Sequence, residues 1–403
     1  MTAQDPDFVP VPGIRLGTAA AGIKYTDRQD LVLIELAEGS TCAAVFTRNA
    51  FCAAPVVVAK EHLVANLPRY LLINSGNANA GTGEEGLKAA RESCKAVAAV
   101  RDCDISQVLP FSTGVIGESL PVDKIAISVP DALSSLNENG WDAAARAIMT
   151  TDTVPKLASR QFEHDGQRIT VTGMSKGSGM IRPDMATMLA YVATDAMVDQ
   201  HLLQSCLEQA VNPSFNSITV DGDTSTNDAC VLLASGASGA APITNSESQA
   251  YADLCAAVLD VCMELARAIV KDGEGATKLV EVSVESAATE KEARDVAYTI
   301  AHSPLVKTAL FASDPNWGRI LAAVGRAGVE QLDIDKVKIW LGDVCIVRDG
   351  GRSDNYSEQA GQRVMDQPEI LIRVDLGRGE SSVAVLTCDF SYDYVKINAE
   401  YRT

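Results

Sequence analysis

Histidine is scarce in this sequence, and long hydrophobic runs are missing. The histidines lie far apart along the chain, at His62, His164, His201 and His302. Because histidine is the commonest metal ligand and the usual base of a catalytic serine, neither a metal site nor a Ser-His-Asp set is expected. No apolar run reaches the roughly 18 residues that a membrane-spanning helix requires, so no membrane partner is expected.

Positive charge is in deficit as well. The 34 Lys and Arg residues against 53 Asp and Glu residues leave a formal net charge of −19, which disfavours general binding to nucleic acid or anionic membranes. The ten cysteines include no CxxC pair, and the first residues lack the basic and apolar regions of a secretory signal. We therefore expect reduced thiols, no zinc site and a cytoplasmic location.

The chain is long enough for more than one domain. Its 403 residues, 47% of them hydrophobic, suit two domains or one large α/β domain with an appendage. Strand-like runs alternate with helical patterns, which predicts a layered α/β fold with helices outside the sheets. The predicted strands include residues 31–37, 41–47, 54–60, 188–194 and 277–286. The predicted helices include residues 87–100, 248–273 and 290–312, the last broken at Pro304.

The loop GNANAGTGEEGLK, residues 76–88, precedes a predicted helix and raises the question of phosphate binding. A phosphate loop places glycine, lysine and serine or threonine together, so that N–H groups and an ammonium converge on the anion. Here Leu87 separates the glycine from the lysine, and Glu84 and Glu85 would repel an anion. The pattern favours a tight structural turn, or a pocket lined by asparagine and serine side chains.

The stretch FSTGVIGESLP, residues 111–121, places Thr113 and Gly114 after an apolar run. A glycine lets its backbone N–H approach a ligand, and a neighbouring hydroxyl can donate a second hydrogen bond. Two donors aimed at one point form an oxyanion hole. An ordinary turn capped by the threonine explains the same residues, and the pattern alone leaves both interpretations open.

Thr187 stands between a Gly/Lys/Ser loop and an apolar run, in KGSGMIRPDMATMLAYVATDA. A threonine in a buried strand commonly bonds a neighbouring carbonyl and does nothing else. The alternative is that the Thr187 hydroxyl attacks the carbonyl of Ala186 and that the resulting ester is hydrolysed. The new α-amine, with an ordinary pKa of about 7.7–8.0, would then serve the hydroxyl as its base. The glycines before the junction and the small Ala186 side chain leave room for that attack.

Other polar residues stand in loops where each has an ordinary explanation. Lys176 and Glu274 fit solvated loop charges, and Thr153 fits a turn or helix cap. The tail NAEYRT follows an alternating run, YDYVKI at 392–397, which predicts a strand. Chain ends are usually frayed, whereas a docked strand would hold this tail in place.

Taken together, these stretches resemble the glutamate N-acetyltransferase family, whose members are also called ornithine acetyltransferases. The segment around Thr187 is similar to the family's cleavage-site signature, and the other matches follow the family's order over nearly the whole chain. They are INSGNANAGTG, STGVIGESLP, TTDTVPK, VDGDTSTND, KDGEGATK, SDPNWGRI and INAEYRT. Each match is weak alone, but the set is highly specific.

The resemblance implies a layered α-β-β-α sandwich like those of N-terminal-nucleophile enzymes, with a smaller C-terminal α/β domain at about residues 280–403. It implies a precursor cut between Ala186 and Thr187 into chains 1–186 and 187–403, which assemble as an α2β2 heterotetramer. In the implied reaction, N-acetylornithine acetylates Thr187 and leaves as ornithine, and glutamate then takes the acetyl group, as a step of arginine synthesis. No cofactor is implied, and the sequence leaves open whether acetyl-CoA is a second donor.

By position, the resemblance also assigns roles to individual residues. Thr113 and Gly114 match the oxyanion pair, and Thr187 matches the nucleophile. The residues that match substrate-binding positions are Thr153, Lys176, Thr187, Glu274, Asn398 and Thr403. The chain departs from the family pattern at Gly81, Arg182 and Asp184, where the family commonly has cysteine, histidine and asparagine. The departure at Asp184 bears on the cleavage rate, because a carboxylate near the scissile bond behaves unlike an amide.

Two other hypotheses stay open from the sequence. An N-terminal-nucleophile aminopeptidase or amidase of the same architecture would use water where the transferase uses glutamate. A paralogue without activity would remain an uncut chain of 403 residues.

Overall fold

A computed structural model describes residues 8–182 and 188–400 of the chain. The chain divides into two compact units, each assembled from segments that are separate in sequence. The first comprises Met1–Gly177, Pro183–Asn216 and Thr224–Ile269, and the second comprises Ser178–Arg182, Ser217–Asp223 and Val270–Thr403. Within the described ranges, every helix is too short or too polar to cross a membrane. The predicted cut at Ala186–Thr187 concerns a covalent bond, and it stays a prediction.

Nine strands and six helices form the described part of the first unit. The strands are β1 (Ile14–Ala19), β2 (Leu31–Leu36), β3 (Thr41–Phe46), β4 (Tyr70–Asn74), β5 (Val108–Ser112), β6 (Lys156–His164), β7 (Gln167–Lys176), β8 (Leu189–Thr194) and β9 (Ala229–Ala234). The helices are α1 (Ala54–Ala65), α2 (Gly83–Arg101), α3 (Val122–Ser134), α4 (Trp141–Ala147), α5 (Gln200–Val211) and α6 (Gln249–Lys271), whose last two residues belong to the second unit.

The strands of the first unit form two sheets, with the orders β1-β2-β4-β5 and β3-β9-β8-β7-β6. The apolar run after Thr187 forms β8, and all its residues are buried. Strand β8 pairs antiparallel with β7, with Leu189 opposite Lys176, and parallel with β9, with Leu189 beside Ala229. The predicted strand with two buried faces is confirmed, because β8 has neighbours on both sides and a layer on each face.

The two sheets face each other across one hydrophobic core. Phe111 of β5 and Tyr191 of β8 meet there edge to face, with ring centroids 5.3 Å apart. On the other side of the first sheet, Leu33 of β2 shares a second core with residues of α2 and α3. On the other side of the second sheet, Gly173 of β7 lies so close to α6 that an added Cβ would be 2.8 Å from Val261. The layers run helix, sheet, sheet, helix, and the predicted α-β-β-α class is confirmed.

The second unit is also mixed α/β, with one sheet of strand order β13-β12-β11-β14-β10-β15. Its strands are β10 (Leu279–Ala287), β11 (Lys338–Leu341), β12 (Val344–Arg348), β13 (Gly351–Arg352), β14 (Glu369–Asp375) and β15 (Ser381–Cys388). Its helices are α7 (Glu290–Ala301), α8 (Pro304–Phe311), α9 (Trp317–Gly325), α10 (Glu358–Met365) and α11 (Tyr392–Ala399). Alternate residues of β10 and β14 pack with the apolar faces of α7 and α9 in one core.

Two segments predicted as strands are helices. Residues 54–60 begin α1, because Pro55 in the first turn presets a helical φ and the valines that follow bury one face. Residues 392–397 lie in α11, whose first turn is capped by Ser391 Oγ accepting from the Tyr394 N–H. In both places a helix start signal outweighs the preference of the β-branched or alternating residues for a strand.

Candidate active site

The predicted nucleophile Thr187 lies outside the described residues, together with Ala186, Asp184 and Thr403. Their assigned roles stay predictions. The remaining predicted residues fall into two groups. Thr113, Gly114, Thr153 and Lys176 belong to the first unit, and Glu274 and Asn398 belong to the second.

Thr113 and Gly114 follow β5 in a tight turn. The Thr113 N–H donates to the Asn74 carbonyl oxygen at 3.0 Å, which holds the turn in place. Gly114 has a φ of +132°, and an added Cβ would lie 2.3 Å from the carbonyl carbon of Gly76, so only glycine fits here. Within residues 8–182 and 188–400, Thr113 Oγ1 and the Gly114 N–H form no hydrogen bond. Both donors can therefore serve a ligand, as an oxyanion hole requires.

An asparagine network supports this turn, and sequence reasoning did not predict it. Asn74 Nδ2 donates to the Asn77 carbonyl oxygen at 2.8 Å, and Asn74 Oδ1 accepts from Ser112 Oγ at 2.6 Å. Asn227 Nδ2 donates to the carbonyl oxygens of Ser112 at 2.9 Å and Ala78 at 2.6 Å. The network satisfies carbonyls that burial would otherwise leave unpaired. The only signal in the sequence was the asparagine content of INSGNANAG and STND.

Lys176 ends β7 and is buried rather than solvated. Near it, Asp152 and Lys156 form a fully buried ion pair with 2.7 Å between Oδ1 and Nζ, and Asp152 Oδ1 also accepts from the Gly177 N–H at 2.7 Å. Burial raises the pKa of Asp152, but the charges of Lys176 and Lys156 and these hydrogen bonds outweigh it and lower the pKa to about 2. Thr153, the next residue, lies in an exposed turn before β6.

A second buried carboxyl group lies within the influence of the Lys176 charge. Asp228 is 3% exposed, and no described residue forms a hydrogen bond with its Oδ2. Burial raises its pKa well above the ordinary value, against the opposing effects of a hydrogen bond with Ser225 and of Lys176. Asp228 directly precedes β9, where the Ala229 N–H donates to the Met188 carbonyl oxygen at 3.0 Å. Sequence reasoning did not single this residue out, although it ends the matched stretch VDGDTSTND.

In the second unit the fold brings together two predicted residues that are far apart in sequence. Asn398 Nδ2, on α11, donates to Glu274 Oε2 at 2.8 Å. Glu274 is 6% exposed, so the interpretation of Glu274 as a solvated turn residue is wrong. A Cβ added to Gly179 would lie 2.3 Å from the Glu274 carboxyl carbon, so the carboxylate lies directly over this glycine.

The surroundings of Glu274 are acidic. Burial raises the pKa of the Tyr394 hydroxyl, and the carboxylates of Asp221, Glu274 and Asp223 raise it further. Burial also raises the pKa of Asp221, although hydrogen bonds from the N–H groups of Asp223, Met180 and Ile181 partly offset this effect. This part of the second unit therefore suits a cationic group of a ligand.

Two of the three departures from the family pattern are described. Gly81 has a φ of +68°, where a side chain would be strained. The Arg182 guanidinium lies 5.9 Å from the centroid of the Tyr298 ring, within range of a cation–π interaction.

Each unit offers its own chemistry to a ligand. The first unit supplies two neutral donors and a buried ammonium, and the second supplies a carboxylate held by an amide. Among residues 8–182 and 188–400, no group of three His, Cys, Asp or Glu side chains could hold a metal ion. The donors of the first unit suit the oxyanion of acyl chemistry, and the carboxylate of the second unit suits a cationic group.

Comparisons with known proteins agree with the motif order. The model of the ArgJ family matches residues 15–403. The arginine biosynthesis bifunctional protein ArgJ of Methylococcus capsulatus is 64% identical over 394 residues, which cover 98% of this chain and 96% of the relative. The protein of the same name from Pseudomonas fluorescens is 59% identical over 398 residues, which cover 99% and 98%. A crystal structure of ArgJ from Bacillus halodurans is 40% identical and covers 52% of this chain and 97% of its own, with a TM-score of 0.49.

Proposed function

This chain belongs to the ArgJ family, and from that premise we propose that it transfers the acetyl group of N2-acetyl-L-ornithine to L-glutamate. The observation that carries the proposal is the family match over residues 15–403, which includes every predicted site residue. The turn at Thr113 and Gly114, with two donors that bond nothing in the described chain, supports acyl transfer in particular. The relatives are named as arginine biosynthesis proteins, and the proposed transfer is a step of arginine synthesis.

The transfer takes place in two steps through Thr187. The Thr187 hydroxyl attacks the acetyl carbonyl of N-acetylornithine, and its own α-amine accepts the hydroxyl proton. Thr113 Oγ1 and the Gly114 N–H donate to the oxyanion that forms, and collapse of this intermediate breaks the C–N bond. The proton passes to the departing nitrogen, and ornithine leaves. The neutral amine of glutamate then attacks the acetyl ester, one of its protons passes to the leaving Thr187 oxygen, and the free hydroxyl is restored.

Charge decides which groups bind which part of the substrates. Both amino acids have an α-carboxylate, and in a chain of net charge −19 a buried lysine such as Lys176 is a scarce partner for it. Ornithine also has a side-chain ammonium, for which the Glu274 carboxylate held by Asn398 is the natural partner. Glutamate has no such ammonium. Glu274 therefore contributes more to substrate binding in the first step than in the second.

The nucleophile arises by self-cleavage. The Thr187 hydroxyl attacks the carbonyl carbon of Ala186, the C–N bond breaks, and the nitrogen takes the proton. This step frees the α-amine, and water then hydrolyses the ester to give a carboxylate on chain 1–186 and the free Thr187 hydroxyl on chain 187–403. The two chains assemble as an α2β2 heterotetramer in the cytoplasm, with no cofactor. We propose acetyl-CoA as a second acetyl donor, which would give the chain two activities, as in the relatives whose names call them bifunctional.

The test combines intact mass with two variants of one residue. The wild type should give a fragment that begins Thr-Met-Leu-Ala, and N-acetylornithine without acceptor should add about 42 Da to it, the mass of one acetyl group. Glutamate should remove this mass, and acetyl-CoA with glutamate should give N-acetylglutamate. Thr187→Ala should stay uncut and inactive, whereas Thr187→Ser, which keeps a hydroxyl, should still be cut.

Each contrary result points to a different model. Cutting of Thr187→Ala would show that the Thr187 hydroxyl is not the group that attacks the scissile bond. Loss of the acetyl group to water without any acceptor would make the protein an amidase. A wild-type chain that stays intact would contradict the proposed nucleophile altogether.

A further inference from the structure

A short segment of the second unit, residues 178–181, is held by hydrogen bonds at both of its ends; we call it the anchor segment. Ser178 Oγ donates to the Asp272 carbonyl oxygen at 2.7 Å. The Ser178 carbonyl oxygen accepts from the Glu274 N–H at 2.9 Å. The beginning of the anchor segment is thus bound to the loop that contains Glu274.

The end of the anchor segment is bound to a second loop, residues 217–223. Asp221 Oδ2 accepts from the Met180 N–H at 2.6 Å, and Asp221 Oδ1 accepts from the Ile181 N–H at 2.9 Å. The Ile181 carbonyl oxygen accepts from Thr219 Oγ1 at 2.9 Å and from the Val220 N–H at 2.8 Å. One carboxylate therefore fixes two successive backbone N–H groups, an arrangement that determines the direction of the chain.

Met180 adopts a backbone conformation that is unfavourable for a residue with a side chain. Its φ is +55°, in the left-handed region that residues with a side chain rarely adopt. Its side chain is 41% exposed, so burial of an apolar group does not explain the conformation. Gly179, the residue before it, has no room for a side chain beside the Glu274 carboxylate. The bonds to Asp221 are the interactions at Met180 that offset the cost of its φ.

The anchor segment leads directly to the proposed cleavage site. Five residues, 182–186, separate Ile181 from Thr187 in the sequence. An N→O shift requires the hydroxyl oxygen to approach a carbonyl carbon at close range and in one direction, and a displacement of about 1 Å can cost roughly 100-fold in rate. A peptide bond a few residues from a fixed point samples fewer positions than one in a free chain.

We propose that Asp221 is a positioning residue for self-cleavage. Its carboxylate holds the anchor segment, and this limits the positions that the Ala186 carbonyl can take relative to the Thr187 hydroxyl that attacks it. Asp221 takes no part in proton transfer. This inference rests on the proposed function, because it assumes that the Ala186–Thr187 bond is cut. It adds a role that the motif VDGDTSTND does not reveal, since the contact joins residues 40 positions apart.

The experiment follows the cutting of newly made chains in a cell-free translation by denaturing electrophoresis. Asp221→Ala removes the acceptors of the Met180 and Ile181 N–H groups and should slow cutting by roughly 10–100-fold. Asp221→Asn keeps one carbonyl-type acceptor and turns an amino group toward the other N–H, so its rate should be intermediate. Asp223→Asn is the matched control, because it removes the same charge from the same loop and its side chain forms no hydrogen bond to the anchor segment within the described residues. It should cut at the wild-type rate.

A second measurement separates positioning from loss of the fold. In the uncut Thr187→Ala background, Asp221→Ala should expose the Met180 and Ile181 amides to hydrogen exchange while the melting temperature stays above that of the cutting assay. A faster rate of cutting in Asp221→Asn than in Asp221→Ala supports the proposal.

Three results would overturn the inference alone, with wild type still cut. They are cutting of Asp221→Ala at the wild-type rate, equal slowing by Asp223→Asn, and melting of the Asp221 variants below the assay temperature. A wild-type chain that is never cut instead overturns the proposed function, and the inference with it.

Discussion

Two carboxyl groups, buried Asp152 of the first unit and half-buried Asp221 of the second, have opposite pKa shifts. In the first, Asp152 is fully buried, yet its pKa is lowered to about 2, because the charges of Lys176 and Lys156 and the hydrogen bonds outweigh the effect of burial. In the second, the hydrogen-bond donors to Asp221 are backbone N–H groups, and burial raises its pKa in spite of them. The comparison teaches that a directly paired cation lowers the pKa of a buried carboxyl, whereas burial without such a pair raises it, as at Asp228 of the first unit.

Buried lysines show the same contrast. Lys156 of the first unit faces a carboxylate. Lys307 of the second unit is 1% exposed, and its Nζ donates to neutral atoms, Thr387 Oγ1 at 3.0 Å and the Cys388 carbonyl oxygen at 2.5 Å. The Lys307 Nζ also lies 4.6 Å from the centroid of the Phe390 ring. Burial lowers the pKa of Lys307, and the nearby Cys388 and Asp389 only partly oppose this effect.

The largest expected effect comes from breaking the charged pair. Lys156→Met leaves the Asp152 carboxylate buried without its nearest cation and should destabilise the protein by about 3–5 kcal/mol. Lys307→Met leaves only neutral acceptors unpaired and should cost about 1–3 kcal/mol. Urea unfolding of both variants measures the difference. Adding Asp152→Asn to Lys156→Met should recover part of the lost free energy of unfolding. Equal losses of stability in Lys156→Met and Lys307→Met would contradict the contrast between the two lysines.

A smaller effect is expected on activity, where variants of the two units should differ in the half-reactions that they slow. Lys176→Met should slow both half-reactions at least about tenfold, or about 1.4 kcal/mol, because both substrates have an α-carboxylate. Glu274→Gln should slow acetylation by N-acetylornithine to that extent and change deacetylation by glutamate less. Rapid-quench mass spectrometry of each half-reaction measures both rates. An equal effect of Glu274→Gln on the two half-reactions would contradict recognition of the ornithine ammonium.

A third effect should appear on acidification. The pKa of His302 is lowered to about 4 by burial and then by Arg182, Lys307 and Arg326. The unfolded chain binds a proton below about pH 6.5 while folded His302 stays neutral, so this residue should reduce stability as the pH falls from about 6.5 to 4. The contribution of Asp152 should be complete above about pH 4 and lost as the pH falls toward 2.

Melting temperatures between pH 7 and 3 would test this order. His302→Gln should make the melting temperature less dependent on pH above pH 4 and leave its steeper dependence below pH 4 unchanged. Asp152→Asn should flatten only the part below pH 4. A variant His302→Gln with an unchanged profile would show that another group determines the loss.

Much of the fold could be predicted because its signals are local. The run that forms β8 is apolar throughout, as a strand with two buried faces must be, and α7 and α8 break at Pro304 as expected. The errors at α1 and α11 have a common cause. There a proline and a capping serine determine the structure, whereas the prediction weighed side-chain periodicity.

The candidate site could be predicted less completely. A glycine after an apolar run was enough to single out Gly114, because its function depends on its own backbone. Asn227 and Asp221 could not be found in this way, since each acts on carbonyl or N–H groups that are distant in sequence. The pairing of Glu274 with Asn398 spans 124 positions, and only the family resemblance suggested it.

The strand order β3-β9-β8-β7-β6 has a consequence for the cut protein. Under the proposed cleavage, β3, β6 and β7 belong to one product, and β8 and β9 belong to the other. The pairs β3–β9 and β7–β8 then join two separate molecules, so unfolding becomes a dissociation and the melting temperature rises with protein concentration. Chain 187–403 made alone would expose both edges of the β8–β9 pair, and we expect it to aggregate unless chain 1–186 is made with it.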